Sequence, residues 1–210
     1  MPLLEMHDKI SQAMENREFS IGIFIDLAKA FDTIDHNILI LKLAHYGVRG
    51  VVLNWFASYL HNRSQFVQLN NHTSACKPIV LGVPQGSVLG PLLFILYIND
   101  IVNCSHLLSP LLFADDTNLF YSNHNIDNLR ITVDCELSKL SSWFSANRLS
   151  LNIAKTNYIL FGNKPIPTNF KISIDNQPIL RAYTVKFLGV IVDSRLSWNA
   201  HVDYICSKIA

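Results

Sequence analysis

The sequence predicts an α/β fold of the α+β kind, in which helices pack against a largely antiparallel sheet. Two apolar runs of about four residues flank a short polar break within 111–120, which indicates a β-hairpin. The apolar run at 21–25 is rich in β-branched and aromatic residues and indicates a buried strand. Apolar residues recur at helical spacing over 51–60 and 126–144, which predicts two helices covering one face of the sheet.

The first predicted strand ends at Asp26, and a helix follows it. Asp32, Thr33 and Asp35 are candidate N-caps of that helix, and Gly47 is typical of a C-terminal stop. The candidate core residues of the helix are Ile38, Leu39, Leu41, Leu43 and Ala44.

Further along the chain, two glycines and a proline within 82–87 predict a tight loop, which leads into a buried helix over 92–98. The apolar stretch of that helix is far shorter than the roughly 20 residues a membrane span needs. Alternating residues predict half-buried strands over 65–69 and 170–174. The stretch 163–168 contains two prolines and is expected to be a flexible loop.

Adjacent carboxylates at Asp115 and Asp116 stand between the two apolar runs of the predicted hairpin, without charged neighbours to pair them. Carboxylates crowded in this way repel unless a cation lies between them, and oxygen ligands suit Mg²⁺. Asp is also common in turns, so the pair taken alone fits a polar hairpin tip. If the first strand lies beside the hairpin, Asp26 and Asp115 can hold two ions about 3.5 to 4 Å apart, the geometry of phosphoryl transfer.

Five segments of the chain, in order, resemble motifs A to E of one enzyme family. The segments are 24–32, 82–94 with 97–100, 113–116, 151–156 and 187–190. Together they resemble the palm of a reverse transcriptase from a non-LTR (LINE-type) retrotransposon, close to the jockey and CR1-like elements. The resemblance extends from about residue 20 to residue 193.

The resemblance implies an RNA-directed DNA polymerase, a nucleotidyltransferase that uses two Mg²⁺ or Mn²⁺ ions. Asp26, Asp115 and Asp116 are then both catalytic and metal-binding, with Asp116 supporting the ions more than bridging them. Lys155 is implied to be catalytic, as a cation near the departing pyrophosphate. A solvated surface lysine is an equally good interpretation of Lys155.

The resemblance also implies that nucleotide-binding residues are Leu27, Phe31, Pro84, Gln85 and Gly86. The ring of Phe31 would pack under the sugar of the incoming nucleotide and exclude a 2′ hydroxyl. For a lone phenylalanine, an ordinary core position would be the default interpretation. The segment 187–190 corresponds to the family's primer grip, although packing alone would also explain its apolar residues.

We expect a reverse transcriptase palm with partial fingers over 1–198 and the start of a truncated thumb over 199–210. The expected partners are an RNA template, a DNA primer and a deoxynucleoside triphosphate, without a membrane. A larger polyprotein with an endonuclease is a further expectation. The four cysteines are scattered, without a Cys-x-x-Cys pair or a histidine at zinc spacing, so we expect reduced thiols and no zinc. Because no secretory signal is recognised, we expect an intracellular compartment, nucleus or cytoplasm.

The formal net charge of +1 is low for a protein that grips a primer and template. The resemblance implies that further cationic contacts belong to a fingers region before motif A and a thumb after motif E, which are largely missing here. The alternative function is therefore an inactive, truncated transposon remnant that keeps the palm fold without catalysis. Another palm polymerase, such as an RNA-dependent RNA polymerase, is a third interpretation. Phe31 and the segment 113–116 argue against that third interpretation.

Overall fold

The computed structural model describes residues 2–114 and 116–209. Within these residues the helices are α1 (Pro2–Glu15), α2 (His36–His45), α3 (Gly50–Leu60), α4 (Leu89–Ile98), α5 (Ile126–Ala146) and α6 (Asn199–Ile209). The strands are β1 (Phe19–Ile25), β2 (Arg63–Gln65), β3 (Gln68–Leu69), β4 (His72–Thr73), β5 (Lys77–Ile79), β6 (Ser109–Phe113), β7 (Asp116–Asn123), β8 (Asn157–Phe161), β9 (Ser173–Ile174), β10 (Gln177–Pro178), β11 (Leu180–Arg181), β12 (Thr184–Phe187) and β13 (Val190–Asp193). Short 3-10 helices occupy Ala30–Asp32 and Asn99–Asn103.

The chain divides into two compact units. The first unit contains Met1–Leu27, Val102–Trp143 and Leu151–Ala210, and the second contains Ala28–Ile101 and Phe144–Ser150. The first unit therefore carries the sheet and the second carries α2, α3 and α4.

The sheet of the first unit has five strands in the order β11-β8-β1-β7-β6. Every neighbouring pair is antiparallel except β11 with β8, so the expected largely antiparallel sheet is confirmed. The central strand β1 is buried from its second residue to its last. Its β-branched and aromatic side chains pack well on both faces of a pleated sheet, which explains this central position.

One face of the sheet packs against α1 and the hairpin formed by β12 and β13. Its core includes Met6 and Ile10 of α1, Phe24 of β1, Phe120 of β7 and Phe187 of β12. The other face carries the buried residues of β1 that alternate with Phe24: Ile21, Ile23 and Ile25. Helix α5 also buries an apolar stripe at helical spacing, which consists of Leu129, Val133, Leu137, Leu140 and Phe144.

Helix α2 of the second unit begins as predicted at an aspartate cap. The carboxylate of Asp35 accepts hydrogen bonds from the amides of Asn37 and Ile38 at 2.9 and 3.0 Å. Leu39 and Leu43 are buried one turn apart, as expected. The prediction of Leu41 as a core residue is wrong, since its side chain is 71% exposed. Leu41 lies half a turn from Leu39 and Leu43, so the face that buries those leucines turns Leu41 outward.

Two further apolar segments of the second unit are more exposed than predicted. Among the residues of α3, all of them described, only Leu60 is buried, and Val51 is 85% exposed. The segment 65–69 is not one half-buried strand, because exposed residues separate β2 from β3. By contrast, the alternation over 170–174 is confirmed by burial of its three apolar side chains, although only its last two residues form a strand.

Helix α4 follows the loop as predicted, but only one side of it is buried, since Leu92 and Ile95 are 49% and 47% exposed. The hydroxyl of Ser87 accepts a hydrogen bond from the Gly90 amide at 3.0 Å and donates one to the Pro84 carbonyl at 2.7 Å. Phe94 and Tyr97 are fully buried. Across the described residues, no helix combines the length and the apolar character that crossing a bilayer requires.

Candidate active site

Asp26 and Asp116 lie at adjacent ends of neighbouring strands in the first unit. Strands β1 and β7 pair antiparallel, with Phe24 opposite Asn118 and Ile25 opposite Thr117. The next position in the same register is Asp26 opposite Asp116. Directly opposite residues of an antiparallel pair point to the same face, so both carboxylates belong to the face that carries Phe24. Asp26 is half-buried and Asp116 is exposed, so solvent and ligands reach this edge.

The predicted hairpin exists, and its turn is short. Strands β6 and β7 pair with Phe113 opposite Asp116, so two positions separate the paired residues. Ala114 has a φ of 52°, the left-handed conformation that tight hairpin turns require. Asp116 is therefore the first residue of β7 and not a turn residue. The prediction for Asp115 lies outside the described residues.

The turn before β8 holds the backbone of Asp26 on both sides. The Asp26 amide donates to the Thr156 hydroxyl at 3.2 Å, and the Asn152 amide donates to the Asp26 carbonyl at 2.9 Å. Thr156 is fully buried, whereas Lys155 of the same turn is exposed. Next along the chain, Leu27 forms an isolated antiparallel bridge with Leu151. These contacts bring the Lys155 turn and Asp26 together within the first unit.

Sequence reasoning missed Thr156 and Asn152 as residues that position Asp26. The only signal was their place in the segment 151–156, which the resemblance matched to motif D. The hydrogen bond joins residues 130 positions apart in the chain. Local patterns carry no information on such a pairing.

The β12–β13 hairpin contacts the same face of the sheet as the carboxylates. The ring centroid of Phe187 lies 6.2 Å from that of Phe24, two residues before Asp26 on β1. Phe24 in turn meets Phe120 edge-on, with 6.0 Å between the ring centroids. The predicted primer-grip segment therefore packs against the strand that carries Asp26.

Phe31 lies in the second unit, in the 3-10 turn Ala30–Asp32. Its ring is half-buried and lies 4.7 Å, centroid to centroid, from the ring of Phe94 on α4. Packing on Phe94 supports one side of the Phe31 ring, and partial exposure leaves another side accessible. The structure therefore fits both the gate and the packing interpretation of Phe31.

Backbone hydrogen bonds join this turn to the glycine-containing loop. The amide of Val83 donates to the Phe31 carbonyl at 2.9 Å, and the amide of Gly82 donates to the Ile34 carbonyl at 2.8 Å. Gly82 has a φ of +84°, and a β-carbon there would lie 2.8 Å from the Asp32 carbonyl oxygen. Glycine is required at this position on both grounds.

The remaining predicted nucleotide-binding residues, Pro84, Gln85 and Gly86, follow in this loop. The Gln85 side-chain amide donates to the Asp32 carboxylate at 2.8 Å, which fixes its orientation. Gly86 has a φ of +80°. The second unit thus brings Phe31 and the loop residues together.

A buried polar network that sequence reasoning missed stabilises this arrangement. Arg148 donates to the buried carboxylate of Asp35 at 2.6 Å. The Nε2 atom of His36 lies 2.7 Å from the Gly82 carbonyl oxygen, so that nitrogen carries the proton. Tyr97 donates to the Asn147 carbonyl at 2.7 Å, and burial raises the pKa of Tyr97 to about 12.

The two units differ in net charge. The second unit has six Lys and Arg against three Asp and Glu, a net charge of +3, whereas the first has eleven against thirteen, a net charge of −2. The low net charge of the whole chain is therefore the sum of one basic unit and one acidic unit. The described residues contain no group of three or more His, Cys, Asp or Glu side chains placed to hold a metal ion.

Residues 2–192 match the family described as reverse transcriptase (RNA-dependent DNA polymerase). The chain is 31% identical to a probable RNA-directed DNA polymerase from transposon BS and 27% identical to the RNA-directed DNA polymerase from mobile element jockey, both of Drosophila melanogaster. Each of these alignments covers 92% of this chain and 22% of the relative. The chain therefore spans about a fifth of the length of the curated relatives it matches.

A solved structure has a fold similar to that of this chain. Telomerase from Candida albicans superposes with a TM-score of 0.61 and 15% identity, over 92% of this chain and 33% of that one. The polymerase palm architecture and the resemblance to non-LTR retrotransposon polymerases are thus confirmed. The chain belongs to the reverse transcriptase (RNA-dependent DNA polymerase) family.

Proposed function

We propose that this chain is the catalytic palm of a non-LTR retrotransposon polymerase, which adds deoxynucleotides to a primer 3′ end under the direction of an RNA template. The observation that carries the proposal is the register of β1 with β7, in which Asp26 and Asp116 are the next opposite pair. Two carboxylates on one face at the open end of neighbouring strands suit phosphoryl transfer.

Asp26, Asp115 and Asp116 would hold two divalent ions, Mg²⁺ or Mn²⁺. The fit rests on the donor set, because hard cations take carboxylate oxygens and leave other positions to water and phosphate. The exposure of Asp116 leaves room for these additional ligands. When bound, the ions would lower the pKa of the primer hydroxyl and neutralise the triphosphate.

The residues of the chain would position the reactants. Thr156 and Asn152 hold the Asp26 backbone, so its carboxylate starts from a fixed strand end. Lys155, exposed on the turn that binds Asp26, would donate a proton to the departing pyrophosphate. Phe31, supported by Phe94, would exclude a 2′ hydroxyl from the incoming sugar.

The loop of the second unit would contact the incoming nucleotide. Gln85, oriented by Asp32, would hydrogen-bond the sugar or base, and Pro84 and Gly86 would allow close backbone approach. Leu27 would contribute its backbone beside Asp26. We propose that the palm spans 1–198 and that a thumb begins at 199–210. Both would belong to a larger intracellular polyprotein that carries an endonuclease.

Primer extension on poly(rA)/oligo(dT) tests this function. We expect the purified chain to extend the primer with Mg²⁺ and dTTP, and Asp26→Asn to reduce the rate about 100-fold or more, since a metal ligand is lost. Asp127→Asn is the matched control, because Asp127 is an exposed acid on α5, away from the paired strand ends. No extension by the wild-type chain would favour the alternative of an inactive remnant.

Nucleotide discrimination tests the role of Phe31 in the same assay. We expect Phe31→Val to increase ribonucleotide incorporation relative to deoxynucleotide incorporation, because the smaller side chain leaves space for the 2′ hydroxyl. Unchanged discrimination would leave Phe31 as a packing residue. Equal use of both nucleotides by the wild-type chain would instead favour an RNA polymerase.

A further inference from the structure

Two planar rings of α3, Trp55 and Tyr59, stack on each other, and the guanidinium of Arg63 at the start of β2 lies beside them. We call these three side chains the α3 ladder. The rings of Trp55 and Tyr59 stack with centroids 5.5 Å apart and planes inclined by 14°. The guanidinium carbon of Arg63 lies 5.3 Å from the centroid of the Tyr59 ring. Trp55 is 52% exposed. Trp55 and Tyr59 are four residues apart and therefore lie on the same side of α3, with Trp55 exposed and Tyr59 half-buried.

The chain segment that contains the α3 ladder lacks acidic residues. No Asp or Glu occurs between Asp35 and Asp100, whereas that segment contains four Lys and Arg residues. Arg49, Arg63 and Lys77 of this segment are all exposed. A segment with exposed cations and no acid attracts a polyanion.

The charge distribution decides between the candidate occupants of this face. A second copy of the chain would bring the same exposed cations against these, and the like charges would repel. Stacked aromatic rings beside arginine are the arrangement on which single-stranded nucleic acids bind, through base stacking and phosphate contacts.

A cleft in the same unit continues from the ladder. Its volume is about 900 Å³, and Arg63 contributes to its lining as well as to the ladder. Lys29 and the loop residues Pro84 and Gln85 line the same cleft, together with one acid, Asp32, whose carboxylate accepts the hydrogen bond from Gln85. Arg63 thus lies between the stacked rings and the loop 82–87. This loop is the one proposed to contact the incoming nucleotide.

We propose that the α3 ladder is a stacking platform for single-stranded nucleic acid, with bases on Trp55 and phosphates on Arg49, Arg63 and Lys77. That the strand is the RNA template rests on the proposed function. The platform would hold unpaired template near the cleft that Arg63 lines.

Fluorescence anisotropy of a labelled 20-nucleotide oligouridylate RNA tests the platform, with the full chain and without divalent ions or nucleotides. We expect Trp55→Leu to weaken binding about tenfold, and Trp55→Phe to stay within about twofold of wild type, because phenylalanine keeps an aromatic face. RNA should also quench tryptophan emission in the wild type and less in Trp55→Phe.

Tyr183→Leu is the matched control. Tyr183 is a 65% exposed tyrosine of the first unit and also has an arginine over its ring, Arg181 at 5.2 Å. Its loss should leave RNA affinity unchanged. Thermal unfolding of each variant, followed by circular dichroism, confirms that the folded protein is compared.

Equal RNA affinity of Trp55→Leu and Trp55→Phe, or no RNA binding by the wild-type chain, would overturn the proposal. A dimer in sedimentation velocity that Trp55→Leu dissociates without loss of RNA affinity would also overturn it, in favour of a second copy. Asp26→Asn separates the two proposals, since it should abolish extension and keep RNA binding. If the wild-type chain extends the primer but Trp55→Leu binds RNA as tightly as wild type, the platform alone is refuted. If the wild-type chain does not extend the primer but Trp55→Leu weakens RNA binding, the result counts against the polymerase alone.

Discussion

Helices α3 and α5 carry apolar residues at the same helical spacing, yet only α5 buries them. Val133, at the middle of α5, is fully buried, whereas Val51 of α3 is 85% exposed. Four of the five charged residues of α5 remain in contact with solvent, namely Asp127, Arg130, Asp134 and Lys139, and the fifth, Glu136, is buried and paired with Lys139. Helix α3 contains no charged residue, and its apolar side chains lie on several sides.

The difference shows that contrast between two faces, and not the recurrence of apolar residues, indicates which face is buried. A charged face fixes the orientation of an amphipathic helix, because turning it inward would desolvate the charges. A helix such as α3 has no such constraint. The exposed ring of Trp55 is then available for a ligand, which is how we interpret the α3 ladder.

The sharpest test of the comparison makes the same substitution in both helices. Val133→Ala should lower the free energy of unfolding by about 2 kcal/mol, because it removes buried methyl groups and leaves a cavity. Val51→Ala should change it by less than about 0.5 kcal/mol, since this side chain is already in water. Urea denaturation followed by circular dichroism measures both values. Equal losses would show that α3 is buried in solution.

Amide hydrogen exchange sharpens the comparison without a mutation. The central amides of α5 should exchange only through large opening events, because their helix is anchored by a buried stripe. The amides of α3, anchored at Leu60, should exchange at least about tenfold faster, which corresponds to about 1.4 kcal/mol less opening free energy. Mass spectrometry of peptides from the two helices gives the comparison. Slower exchange in α3 than in α5 would contradict it.

The same contrast explains which parts of the molecule the sequence could predict. The strand ending at Asp26 and the hairpin beside it were predictable, because buried strands carry their own apolar signature. Exposure of Leu41 and Trp55 was not predictable, because it depends on which elements the fold places nearby. The residues that position the site also escaped prediction. Thr156 and Arg148 act through partners 130 and 113 positions away, Asp26 and Asp35.

The smallest expected effect concerns charge, which α5 carries and α3 lacks. Glu136 of α5 is buried, and burial opposes its ionisation. Hydrogen bonds from Lys139, at 2.6 Å, and from Ser105 nevertheless lower its pKa below the usual value near 4.5. The folded state therefore releases this proton more readily than the unfolded state. The resulting stability is present above pH 4.5 and is lost as the pH falls through the lowered pKa.

Glu136→Gln should remove this contribution, so the difference in unfolding free energy from wild type should shrink as the pH is lowered from 6 towards 3. The change should be smaller than that caused by Val133→Ala, because Lys139 is half-exposed and water screens the pair. Val51→Ala offers the control, since α3 has no acid and this variant should follow the wild-type pH dependence. A difference that grows at low pH would show that burial outweighs the hydrogen bonds at Glu136, and that this buried charge costs stability.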